Sequence, residues 1–108
     1  MEQDEFDQRQ YRTMLDMLIA FERGAIRLDT LVDDLEALLN LLNNKKPSWM
    51  QGFQSAWGVL EDARAFALFK NIKSFDEQTD RLLQSTVNRL KLMVLEEIKE
   101  PADNPRTP

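Results

Sequence analysis

The sequence contains no cysteine and no histidine. Without cysteine, a disulfide framework and a thiolate zinc site are excluded. Without histidine, the chain lacks the commonest general base of enzymes and the commonest metal ligand of proteins. A di-iron helical bundle is excluded as well, because it needs Glu-x-x-His pairs. We therefore expect no metal, no cofactor and no enzymatic activity.

Long apolar runs are also missing, since no stretch approaches the roughly 20 residues that span a bilayer. The N-terminal segment "MEQDEFDQRQ" is acidic and polar, which is the reverse of a signal peptide. The net charge of −5 repels nucleic-acid backbones and anionic membranes. The basic pairs Lys45–Lys46 and Lys70/Lys73 are too short to offset it. We expect a cytoplasmic protein that binds neither nucleic acid nor membrane.

Glycine and proline are scarce, with three and four residues among 108. The abundant leucine, glutamate, glutamine and alanine favour helix instead. The length fits one domain with a single core. We predict one helical domain over residues 1–100. The remaining segment, 101–108, begins with a proline that cannot continue a helix and has the composition of a disordered tail.

Apolar residues recur at intervals of three or four in four segments, which predicts four amphipathic helices. The first covers residues 6–23 and ends at Gly24, a typical helix C-cap. For the second helix, Asp29 is the predicted N-cap. Capping-box patterns at Ser48–Gln51 and Ser74–Glu77 mark the predicted starts of the third and fourth helices.

Each predicted helix has one apolar stripe, and four such stripes can share one core. Short connections make consecutive helices antiparallel neighbours. We therefore predict an all-α fold, an antiparallel up-and-down four-helix bundle. Gly52 and Gly58 lie inside the third helix, where each costs about 1 kcal/mol relative to alanine. Their presence predicts the close approach of a neighbouring side chain or backbone at both positions.

The polar face of the second helix is acidic. Its stripe contains Asp29, Asp33, Glu36 and Asn40 at positions i, i+4, i+7 and i+11, with Asp34 beside it. Like charges at i and i+4 cost a few tenths of a kcal/mol. No lysine or arginine within the helix offsets them, although lysine is an equally good helix former. The pattern indicates an uncompensated, outward-facing row of negative charge.

Two more carboxylates, Glu61 and Asp62 of the third helix, add charge that we expect near this row. A basic protein partner suits such a surface. The predicted partner-binding residues are Asp29, Asp33, Asp34, Glu36, Glu61 and Asp62. An ordinary solvated helix face is the alternative interpretation.

Trp49, Phe53 and Trp57 lie on one face of the third helix and form an aromatic ridge. Core packing is the simpler interpretation of this ridge. An exposed Trp49 at the start of the helix is the alternative, because tryptophan often anchors binding partners.

The order of these features resembles one family. A first helix ending in "FERGAI" leads into an aspartate- and leucine-rich second helix, and the third helix contains "WGVLEDA". Over residues 10–70 this layout resembles the helical immunity proteins of colicin D type, including those paired with contact-dependent inhibition toxins. The resemblance implies a four-helix protein that covers the basic active site of a tRNA-cleaving nuclease toxin with acidic side chains.

A second hypothesis comes from a surplus of apolar residues that one four-helix core cannot easily hold: Ile19, Phe66, Phe69, Ile72 and Phe75. A contiguous exposed patch of such residues marks an interface. The alternative function is accordingly a helical adaptor or regulatory protein that acts through a hydrophobic homodimer or partner interface.

Overall fold

The structure, a computed structural model, describes residues 2–99, with side chains described from residue 5 onward. It contains four α-helices: α1 (Glu2–Glu22), α2 (Leu28–Leu41), α3 (Pro47–Lys70) and α4 (Glu77–Glu97). These described residues include no β-strand, so the all-α prediction is confirmed. The predicted tail over 101–108 lies outside the described residues.

The four helices form a closed ring, in which each helix packs against the one before it and α4 packs against α1. Two hydrogen bonds at one end of the bundle show the helix directions. Gln8, near the start of α1, donates from Nε2 to the carbonyl oxygen of Glu97 at the end of α4. Trp49, near the start of α3, donates from Nε1 to the carbonyl oxygen of Met93 in α4. The predicted antiparallel four-helix bundle is therefore confirmed.

One hydrophobic core lies between the helices, and all four contribute to it. Burial of one large apolar side chain contributes about 1.5–3 kcal/mol, so the shared core is the main force that holds the helices together. Its buried apolar residues are Tyr11, Met14, Leu18, Leu31, Val32, Leu35, Leu39, Leu42, Phe53, Ala56, Leu60, Leu83, Val87, Leu90 and Val94.

The helix α1 begins at Glu2, so the predicted start at residue 6 is wrong, whereas its end is as the sequence predicts. Gly24 has a φ of 76°, the left-handed conformation that glycine adopts at low cost. The main-chain N–H of Gly24 donates to Phe21, and that of Ala25 donates to Ala20. This pair of bonds is a Schellman motif, which satisfies carbonyl groups at the helix end.

The predicted N-caps of the other three helices are wrong, each by two residues. Asp29 lies in the first turn of α2, whose N-cap is Arg27. In α3, Pro47 is the first helical residue, because its fixed φ suits that position, and Ser48 is therefore already inside the helix. In α4 the N-cap is Asp76 rather than Ser74.

The two glycines of α3 differ in their surroundings. A Cβ added at Gly52 would lie 3.2 Å from the Cε atom of Met93, so the predicted close approach is confirmed there. A Cβ added at Gly58 would meet nothing within 4 Å, so the same prediction is wrong at Gly58. Gly58 therefore has no packing reason to be glycine within the described residues.

Within residues 2–99, no helix combines the length and the hydropathy that a membrane-spanning segment requires.

Candidate partner-binding surface

The acidic stripe of α2 lies on the side of the helix that faces away from the core. Leu31 and Leu35 are buried on the inner side, whereas Asp33, Glu36 and Asn40 are exposed on the outer side. This division follows from the helical period, because residues three, four and seven apart share a face. Asp29 and Asp34 are half-buried at the margins of the stripe.

Arg64 of α3 links the two helices that carry the predicted surface. Its Nη1 atom lies 2.9 Å from a carboxylate oxygen of Asp33, and its Nη2 atom lies 2.6 Å from one of Glu61. The structure therefore brings Asp33 and Glu61 together around one guanidinium group. Burial by itself would lower the pKa of Arg64, but the charges and hydrogen bonds of Glu61 and Asp33 raise it, so Arg64 stays protonated.

The expectation of an uncompensated row is wrong at two of its members. Asp33 is paired with Arg64, and Asp29 has the guanidinium of Arg27 at 3.8 Å. Both cations lie outside α2, at its N-cap position and on the next helix, so the sequence of α2 does not show them. One signal for Arg64 exists in the sequence: it follows Glu61 by three residues, the spacing of side chains that meet on a helix surface.

The other three predicted residues, Asp34, Glu36 and Asp62, form no ion pair with any residue in the part of the chain that the structure describes. Glu36 and Asp62 are exposed and Asp34 is half-buried. The six predicted carboxylates have a formal charge of −6, and their two paired arginines reduce it to −4. The net charge of the whole chain is −5. The predicted surface thus keeps most of its negative charge.

The tryptophans are packed against the core rather than presented as anchors. Trp49 stacks on Phe53 with ring centroids 5.1 Å apart and bonds to Met93, as described above. Trp57 donates from Nε1 to the carbonyl oxygen of Val32 at 2.9 Å, and so ties α3 to α2. The alternative of an exposed Trp49 anchor is therefore wrong.

Large apolar side chains are exposed near the end of α3. Phe66, Leu68 and Phe69 are 52%, 67% and 82% exposed. The other members of the predicted apolar surplus, Ile19, Ile72 and Phe75, are half-buried. The surplus therefore reduces to an exposed patch whose aromatic members lie on the last two turns of α3.

An open cleft lies between the end of α1 and the first half of α4. Phe21, Leu83 and Val87 supply its apolar walls, and Asp80 and Arg81 are among its polar residues. Arg81 is already paired with Glu77 at 2.6 Å. Among the described residues, no group of three or more aspartate, glutamate, cysteine or histidine side chains is placed to hold a metal ion.

Comparison of the chain with protein-family models, with curated proteins and with solved structures found no match.

Proposed function

We propose that this chain is a cytoplasmic immunity protein, which binds a basic nuclease toxin of the tRNA-cleaving type and occludes its active site. The observation that carries the proposal is the formal charge of −4 that the six predicted carboxylates of α2 and α3 and their two paired arginines leave. The layout that resembles colicin D-type immunity proteins supplies the class of partner. Inhibition by occlusion needs no catalytic group on the inhibitor.

The acidic surface suits a basic cleft because a nuclease active site must attract phosphate groups. Arg64 orients Asp33 and Glu61 through hydrogen bonds, and groups oriented before binding lose less conformational entropy when the complex forms. Asp34 and Glu36 form no ion pair within residues 2–99 and can pair with lysine or arginine of the toxin. Complementary charge of this kind raises the association rate and favours the correct partner more than it raises the affinity.

The decisive experiment is co-expression of this chain with the nuclease toxin domain encoded beside its gene. We expect growth to be restored by the wild-type protein and lost again with the double variant Asp34→Lys/Glu36→Lys. Both positions lie in the interior of α2, where lysine is a good helix former, so the variant should fold. Circular dichroism of the purified variant checks this.

A matched control places the same two charge reversals elsewhere. Asp16 of α1 and Glu96 of α4 are exposed and form no ion pair within residues 2–99. The variant Asp16→Lys/Glu96→Lys should protect as well as the wild type. Growth arrest in the presence of folded wild-type protein would refute the function. Protection by the folded Asp34/Glu36 variant would refute the assigned surface alone.

A further inference from the structure

The outer face of α3 combines exposed aromatic rings with charges of opposite sign at its two ends. Phe66 and Phe69 are three residues apart and therefore lie on the same side of the helix. Asp62 precedes Phe66 by four residues and Lys70 follows it by four, so both lie on the same side as Phe66. We name the face formed by Asp62, Phe66, Phe69 and Lys70 the α3 outer stripe.

The orientation of α3 explains why the aromatic part of this stripe is uncovered. Trp57 donates to Val32 and therefore marks the side of α3 that packs against α2. Phe66 follows Trp57 by nine residues, which at 3.6 residues per turn is two and a half turns, so it lies on the opposite side of the helix. The stripe consequently faces away from α2.

The charged ends of the stripe have no opposite charge to meet within the described residues. Neither Asp62 nor Lys70 forms an ion pair there. The Nζ atom of Lys70 lies over the ring of Phe69, 5.5 Å from its centroid, which is a cation–π contact. The stripe thus runs from a free carboxylate, through two exposed rings, to an ammonium group.

We propose that the α3 outer stripe binds the same stripe of a second copy of this chain, with the two α3 helices antiparallel about a twofold axis near Phe66. In that arrangement a residue four positions before Phe66 faces the residue four positions after it on the other copy. Asp62 therefore faces the partner's Lys70, and the symmetry makes this pair twice. The Phe66 rings of the two copies meet at the axis between these pairs, and each Phe69, three positions after Phe66, faces the partner's Ala63.

The exposed area of the two rings limits the size of this interface. The exposed fractions of Phe66 and Phe69 are 52% and 82%. A phenylalanine side chain that can bury about 200 Å² then gives roughly 270 Å² of aromatic surface per copy. A standard interface buries about 800 Å² per partner, so the rings supply about a third of that area. We therefore expect a weak dimer whose population depends on the protein concentration.

This inference does not rest on the proposed immunity function, because it uses the outer stripe of α3 rather than the surface around Asp33 and Glu36. Of the predicted partner-binding residues, it assigns Asp62 to the dimer contact. It also specifies the hydrophobic homodimer that the sequence leaves open as an alternative. Loss of dimerisation and loss of toxin protection are measured separately, so either proposal can fail without the other.

Analytical ultracentrifugation of the full chain over a range of concentrations tests the arrangement. The single variants Asp62→Lys and Lys70→Glu each turn two attractive pairs into two repulsive ones, so we expect the dimer dissociation constant to rise about tenfold. The double variant Asp62→Lys/Lys70→Glu restores opposite charges across the twofold axis, and its dissociation constant should return to within about threefold of the wild-type value. Single variants that dimerise as well as the wild type, or a double variant without recovery, would overturn the pairing.

A second pair of variants tests the aromatic contact. Phe69→Ser should leave the protein monomeric at concentrations where the wild type is a dimer. Leu92→Ser is the matched control, because Leu92 is a large apolar residue, 59% exposed, on another helix, and its replacement should leave dimerisation unchanged. Both residues are exposed, so both variants should keep the helical circular dichroism of the bundle. A wild-type chain that remains monomeric at millimolar concentration, or equal loss of dimer in the Leu92 variant, would refute the proposal.

Discussion

Asp7 and Asn43 are 36 residues apart in the sequence, yet the carboxylate of Asp7 accepts a 2.8 Å hydrogen bond from the main-chain N–H of Asn43. Its second oxygen accepts from the N–H of Asn44 at 2.9 Å. Asp7 is one of the few polar residues buried among the described ones, with 5% exposure. It therefore fixes the connection after α2 to the first helix and satisfies two main-chain N–H donors of that connection.

Replacement of Asp7 by alanine should destabilise the protein strongly. The change removes two hydrogen bonds to a charged acceptor and leaves two main-chain N–H groups without that acceptor. We therefore expect the free energy of unfolding to fall by about 3 kcal/mol. Urea denaturation measures this. Asp16→Ala, an exposed position on the same helix, should change it by less than about 0.5 kcal/mol. Equal stability of the two variants would show that the Asp7 bonds contribute nothing.

Tyr11 is the only tyrosine of the chain, so its ionisation can be followed by the ultraviolet absorbance of phenolate. Burial, together with the negative charges of Glu97 and Asp7, raises the pKa of Tyr11 to about 12. In the unfolded chain the pKa is about 10. The absorbance midpoint should therefore lie near pH 12 for the folded protein and near pH 10 in urea.

The same shift predicts the sign of a stability change with pH. Between pH 10 and pH 12 the unfolded state has lost the Tyr11 proton while the folded state keeps it, so the free energy of unfolding falls as the pH rises. Below pH 10 the contribution of Tyr11 is fully present. Deprotonation of lysines also acts in this range, and Tyr11→Phe isolates the tyrosine part. We expect the variant to lose less stability than the wild type over this interval, and an identical loss would contradict the assignment.

Substitutions at the start of α4 can show which residue is its N-cap. The side chain of Asp76 accepts a 2.8 Å hydrogen bond from the N–H of Thr79, and this bond lowers the pKa of Asp76 below its usual value. Asp76→Ala should lower the thermal midpoint, whereas Ser74→Ala should leave it unchanged. Because the folded-state pKa is lowered, the stabilisation is present above the unfolded-state pKa near 4 and is lost as the pH falls. A destabilised Ser74 variant beside an unaffected Asp76 variant would restore the capping box that the sequence suggested.

The two glycines of α3 give a matched pair of substitutions. Gly58→Ala should stabilise the protein by about 0.5–1 kcal/mol, because alanine is the better helix former and its Cβ enters open space. Gly52→Ala has the same intrinsic gain, but its Cβ presses on the end of the Met93 side chain, so the net change should be smaller or reversed. Chemical denaturation of both variants measures the difference. Equal gains at the two positions would show that Met93 moves away at no cost.

The helices could be predicted from the sequence because their signal is local. An apolar residue every three or four positions fixes which side of each segment is buried, and residues of this period such as Met14, Leu18 and Leu35 are indeed buried. The helix starts could not be predicted as reliably, since several neighbouring residues can cap. Asp76 and Ser74 both have the right chemistry, and the observed Asp76–Thr79 bond decides between them.

The candidate site was predicted in part. The outward position of Asp33 and Glu36 follows from the period of α2, and the structure agrees. The pairing of Asp33 with Arg64 does not follow from that period, because it depends on which turn of α3 lies opposite which turn of α2. The exposure of Phe69 likewise depends on which sides of α3 are covered by the neighbouring helices.

The sequence by itself determined the all-helical architecture and the sign of the charge on α2, because both depend on residue type and spacing along one chain segment. Only the tertiary structure decided how much of that charge is compensated, which of the two α3 glycines is in contact, and which aromatic residues are exposed. These outcomes depend on residues such as Asp33 and Arg64 that are far apart in sequence. Their distance is set by the packing of whole helices, which no local pattern specifies.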